Sequence, residues 1–252
     1  MNESESHVLL EVCVGSVADA EAAVAAGAQR LELCAGLEIG GLTPSIGLVE
    51  AVVAGCAVPV IAMLRPRAGG FCYDRHEFSA MLRDADQFLA AGAAGVAFGI
   101  LDREGCIDLP RSRELVERAG SRQTMVHRAF DFTRDQAAAI EQLVGLGVTR
   151  ILSSGGEPTA LAGAERLGQL NELAAGRIEL MAGGGVSADN AAELIRRSGV
   201  RQIHIGASGP ADDHSIAADA AINLNDQRFM TGVAYRAVVK ESVLATAKAI
   251  RD

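Results

Sequence analysis

One punctuation mark recurs along this chain: a small-residue helix end, a glycine, two or three spacer residues, then an apolar strand. It occurs as "AAGAQRLELC", "AAGAAGVAFGI", "GLGVTRILSSG" and "RSGVRQIHIGAS". Gly27, Gly92, Gly147 and Gly199 fall where a helix C-terminus takes a left-handed residue. Three further strand candidates, "VPVIAMLR", "QTMVHRAF" and "IELMAGGG", lie between these marks, and "LLEVCV" precedes them. Together they give about eight strands alternating with helical segments, the pattern of a (β/α)8 TIM barrel in the α/β class. The 252 residues suit one such barrel, so residues 1–252 read as a single domain. The rival is a doubly wound open sheet, but "CVGSVAD" matches its glycine-rich first turn poorly.

Helix starts are also marked. "SVAD", Ser16 to Asp19, reads as a capping box, and Ser187 to Asn190 opens "ADNAAELIRRSG" in a similar way. The polar stretch "GPADDHSIAADAAINLNDQR" after Ser208 reads as a loop before a last helix in "YRAVVKESVLATAKAIRD".

A net charge of −9 without a basic stretch argues against nucleic acid. The apolar run Ala51 to Leu64 contains Pro59 and is shorter than the roughly 20 residues of a membrane span. "MNESESH" is acidic and polar, unlike a signal peptide, and the five cysteines are irregularly spaced. The expectation is a cytoplasmic protein with reduced thiols and no membrane partner.

Strand parity then sorts the polar residues. In "LLEVCV", Leu10, Val12 and Val14 take the helix side, which turns Glu11 and Cys13 into the barrel. In "RLELCA", Leu31, Leu33 and Ala35 do the same, so Glu32 and Cys34 point inward. Parallel neighbours lie about 4.8 Å apart, so the two Glu-x-Cys pairs can stack side by side. By the same parity Arg65 and Arg67 follow Met63, His127 and Asp131 follow Met125, and His204 aligns with Gly206 and Ser208. Catalytic groups of such barrels gather at the C-terminal strand ends. Glu11, Glu32, His127 and Asp131 are therefore candidates for acid–base work, although buried Glu and Arg also simply neutralise one another. His204 reads equally well as a satisfied core histidine, and lone cysteines as small core residues.

"MAGGGVSADN" and "HIGASG" follow the seventh and eighth strands, where many barrels hold phosphate on backbone N–H groups. Gly184, Gly185 and Ala207, with Arg65 and Arg67 as clamps, form a candidate anion site. Tight turns into helices would account for the same glycines.

The motifs "LEVC", "RLELCAGLEIGGLTPSIG", "LRPRAGGFCYDRHEF", "VHRAFD", "RILSSGG" and "MAGGGV", in this order and spacing, resemble the CutC family of copper homeostasis proteins. The resemblance covers nearly the whole chain. It implies a cytoplasmic TIM barrel that forms dimers or larger assemblies and binds copper through cysteines, here Cys13 and Cys34. Two inward thiols suit Cu(I), which prefers soft sulfur ligands, in near-linear coordination. The residues alone look more like an enzyme for a small phosphorylated or carboxylated metabolite, and a non-catalytic scaffold with fully paired charges stays open. Copper ion and small anionic ligand are thus the two expected partners.

Overall fold

The structure, a computed structural model, describes residues 8–211 and 235–251. Eight parallel strands close into a barrel in sequence order. They are β1 (Leu9–Val14), β2 (Arg30–Leu33), β3 (Val60–Met63), β4 (Gly95–Phe98), β5 (Gln123–Val126), β6 (Arg150–Ser153), β7 (Glu179–Gly183) and β8 (Gln202–Ile205). The helices between them are α1 (Val17–Ala25), α2 (Ile46–Gly55), α3 (Arg75–Ala90), α4 (Leu109–Ala119), α5 (Gln136–Leu146), α6 (Ala164–Ala174) and α7 (Ala191–Ser198). A last helix, α8 (Lys240–Ala249), packs beside α1 and α7.

Local chemistry sets the helix ends. Gly147 and Gly199 take left-handed conformations directly after α5 and α7, at φ 79° and 65°, which a side chain would disfavour. Ser16 accepts from the Asp19 N–H at 3.0 Å. The Asp19 carboxylate does not complete the expected box; it accepts from the backbone of Gly15 and, at 2.6 Å, of Val238. Asp19 therefore ties α1 to the chain ahead of α8. At α7 the helix proper begins at Ala191, because Asn190 Oδ1 accepts from the Ser187 N–H and forms a turn first.

The expected loop after Ser208 needs correction at its start. Ser208–Ala211 form a strand, β9, antiparallel to β10 (Tyr235–Val238), despite Gly209 and Pro210. Tyr235–Val238, expected as the start of the last helix, belong to that ribbon. Residues 212–234, the rest of the expected loop, lie outside the described residues.

Two cores follow from strand alternation. Leu10, Val12, Leu31, Leu33 and their counterparts pack outward against the helices. Cys13, Cys34, Ile61, Met63, Ala97, Met125, Leu152 and Met181 pack together on the inside. A one-residue slip would exchange these sets, so the register is strongly specified.

Candidate functional site

The polar interior of the barrel is built on β1, β2 and β8. Register places Glu11 opposite Arg30 on one side and His204 on the other, and Cys13 opposite Glu32. Glu11 is fully buried and ion-paired with Arg30 Nε, while its other oxygen lies 2.8 Å from His204 Nδ1. Arg30 also donates to Gln202 Oε1 at 2.6 Å. His204 Nε2 reaches towards Glu32 Oε2 at 3.7 Å. Above this layer Cys13 Sγ and Cys34 Sγ are 3.7 Å apart, with Glu32 Oε2 3.6 Å from Cys34 Sγ. The ligand atoms of Cys13, Glu32 and Cys34 all lie within 4.8 Å of one another, a group able to hold a metal ion.

Electrostatics divides these groups by charge. Burial alone would raise the Glu11 carboxyl, but the His204 hydrogen bond and the Arg30 charge outweigh it and hold it at about 2. Burial opposes a charge on His204, yet Glu32, Cys13 and Glu11 together lift it well above 6.5. Contact with Cys34 lowers the Cys13 thiol to about 5, against burial and with help from His204. Burial, then the charge of Cys13, raises Glu32. Contact with Cys13 and burial raise Cys34. Arg30 and His204 thus face the Glu11 carboxylate and the Cys13 thiolate, while Glu32 and Cys34 hold their protons to higher pH than usual.

A cavity of about 730 Å³ opens above the sulfur pair at the C-terminal strand ends. Cys13, Glu32, Cys34, Arg65, His127 and His204 all line it, together with Gly184 and Gly185. The "EIGG" loop shapes its wall: a Cβ on Gly41, where φ is +79°, would lie 3.1 Å from Cys34 Sγ.

Of the expected anion-site residues, Arg65, Gly184 and Gly185 share the main cavity, whereas Arg67 and Ala207 lie outside it. Strand β3 ends at Met63, so parity no longer governs Arg67. Its Nε donates to Glu77 in the first turn of α3 at 2.5 Å, and its remaining donors reach carbonyls of Ala68, Gly70 and Cys72. Ala207 lines a separate cavity of about 300 Å³ with Ser187 and Asp189. Asp131 lies in a 3-10 turn, Arg128–Phe132, where it accepts from Ser153, from the backbone of Ser154 and Gly156, and from Arg128. It braces two loops and does not line the main cavity. His127 does line it, but burial and the Arg65 charge drive the ring down to about 3.

Two residues outside the expected set hold the site together. Arg30 shares the parity of Glu32, a signal that marks it as inward. His204 is aligned by its strand, and its partner Glu11 on β1 is what distinguishes it from a core histidine.

Residues 8–209 match the CutC family model. A CutC family protein of Treponema denticola is 43% identical over 216 residues, covering 86% of this chain and 88% of the relative. One from Caulobacter vibrioides is 47% identical over 207 residues, 82% of this chain and 84% of the relative. The crystal structure of CutC from Streptococcus agalactiae, whose name carries a copper-homeostasis assignment, superposes with a TM-score of 0.75 at 33% identity. That match covers 78% of this chain and 97% of the other.

Proposed function

The chain belongs to the CutC family, and from that premise we propose that it binds one Cu(I) ion through Cys13 and Cys34 in copper homeostasis. One observation carries the reading: two buried thiols in contact, beside a carboxylate, at the floor of a cavity. Soft sulfur donors suit Cu(I), and the low value of Cys13 supplies a thiolate. The two sulfurs already lie 3.7 Å apart, close enough for one ion to bridge them. Glu32 Oε2, 3.6 Å from Cys34 Sγ, is the third donor of the group.

The ion is cargo in this reading. The acid–base alternative draws less support, because Glu11 is fully paired, His127 is neutral and Asp131 is locked in loop contacts. All five cysteines are free, which suits a reducing cytoplasm. Among the described residues no helix is long and apolar enough to cross a membrane. The family resemblance adds a homo-oligomer, dimeric or larger.

Competition titration against a coloured Cu(I) chelator tests the proposal. The parent should bind one Cu(I) per chain, and Cys13→Ser with Cys34→Ser should abolish that binding while leaving the fold intact. Equal binding by the double variant would remove the proposal.

A further inference from the structure

The cavity contains a second set of polar atoms that the sulfur pair does not use. His127 begins the 3-10 turn after β5, and its Nδ1 accepts from the Ala129 N–H at 3.1 Å. That bond leaves the proton of the neutral ring on Nε2, which is buried and has no partner. Arg65 is the other member. Its Nη1 donates to the carbonyls of Ile39, Gly40 and Gly41 at 3.2, 3.1 and 3.0 Å, and its Nη2 to Gly69 at 2.9 Å. Its Nε is buried without a partner. Every one of these acceptors is neutral, so the buried guanidinium charge meets no carboxylate among the described residues.

An uncompensated buried cation beside an unused buried donor is costly unless something else completes it. Phe71 joins the two groups: its ring lies 5.4 Å from Arg65 Cζ and 5.2 Å from the His127 ring. Gly69 and Gly70 precede it, and a Cβ on Gly70 would meet nothing within 4 Å, so the chain leading into Phe71 is not packed in. The volume of about 730 Å³ lies within the usual range for small-molecule sites and far exceeds what a lone ion needs. Leu37, Leu101, Leu152 and Phe132 supply apolar wall.

We propose that the Arg65–His127 side of the cavity binds the carboxylate of a small organic acid, with Phe71 turning aside to admit it. One cationic Nε–H and one neutral Nε2–H offer two donors and a single charge, which matches a carboxylate's two oxygens. A phosphate group brings three oxygens and about −1.5 to −2 charge, more than these two donors and one charge match. The walls then take the apolar body of the acid. This site is independent of the copper reading, since neither Arg65 nor His127 belongs to the sulfur group.

The test titrates ¹⁵N-labelled, copper-free full-length protein with acetate, pyruvate, benzoate and inorganic phosphate. At least one carboxylate should bind below ~10 mM and shift the His127 Nε2–H resonance, with phosphate weaker. Because Asn also caps helical turns, His127→Asn keeps the turn but shortens the donor, and should weaken the acid about tenfold, or 1.4 kcal/mol. No shift with any acid, tighter binding of phosphate, or unchanged affinity in His127→Asn would overturn the assignment.

Discussion

Glu11 on the first barrel strand and His204 on the last meet at 2.8 Å, so the charge network of the site is also a clasp across the barrel's closing seam. Glu11 answers to Arg30 on its other side, and the three groups leave no carboxylate oxygen of Glu11 unpaired. Truncating Glu11 therefore strands two buried cations. Glu11→Ala should cost about 3–5 kcal/mol, read as a lower denaturant midpoint.

The same pair sets a pH window. Glu11 sits at about 2, below its ordinary 4.5, so its contribution is complete above pH 4.5 and lost as pH falls through 2. His204 sits well above its ordinary 6.5, so its contribution is complete below pH 6.5 and lost as pH rises through the raised value. The clasp should be fully in force between pH 4.5 and 6.5. NMR of the His204 ring should show an imidazolium at pH 7; a neutral ring there would contradict the charge assignment.

Copper affinity should rise with pH between about 6 and 8. Cys13, at about 5, is already a thiolate over that range. The raised Cys34 must surrender its proton to bind, so at least one proton is released per ion. Chelator competition at several pH values measures the slope, and a flat profile would mean that Cys34 is not a ligand.

Gly41→Ala should harm both fold and site. Its left-handed backbone disfavours a side chain by roughly 1–2 kcal/mol. The added methyl would also press on Cys34 at 3.1 Å, so Cu(I) affinity should fall along with thermal stability.

Arg67→Ala serves as the contrast. Its partly exposed pairing with Glu77 is worth no more than about 1 kcal/mol, and Cu(I) affinity should not change. A strong loss of copper binding would place Arg67 nearer the site than its contacts allow.

How far the sequence could be read follows from where alternation operates. Within β1 and β2 every second residue is forced inward, so Glu11, Cys13, Glu32 and Cys34 are legible from pattern alone. The punctuating glycines mark the turns for the same reason, since Gly147 and Gly199 sit in conformations that other residues avoid. Past the strand ends the rule lapses. Arg67 turns to Glu77, and Asp131 folds into a 3-10 turn held by Ser153 and Ser154. The β9–β10 ribbon is hidden because its pairing is between distant segments, one of them containing Gly209 and Pro210. His204 needed its partner to be known, and that partner lies 193 residues away.

X-ray absorption of the protein loaded with one equivalent of Cu(I) reads whether Cys13 and Cys34 together hold the ion. The spectrum should show two sulfur scatterers at about 2.3 Å with one lighter oxygen neighbour, and should lose both sulfurs in Cys13→Ser with Cys34→Ser. A copper shell of nitrogen and oxygen only, or one unchanged by the double substitution, would contradict it.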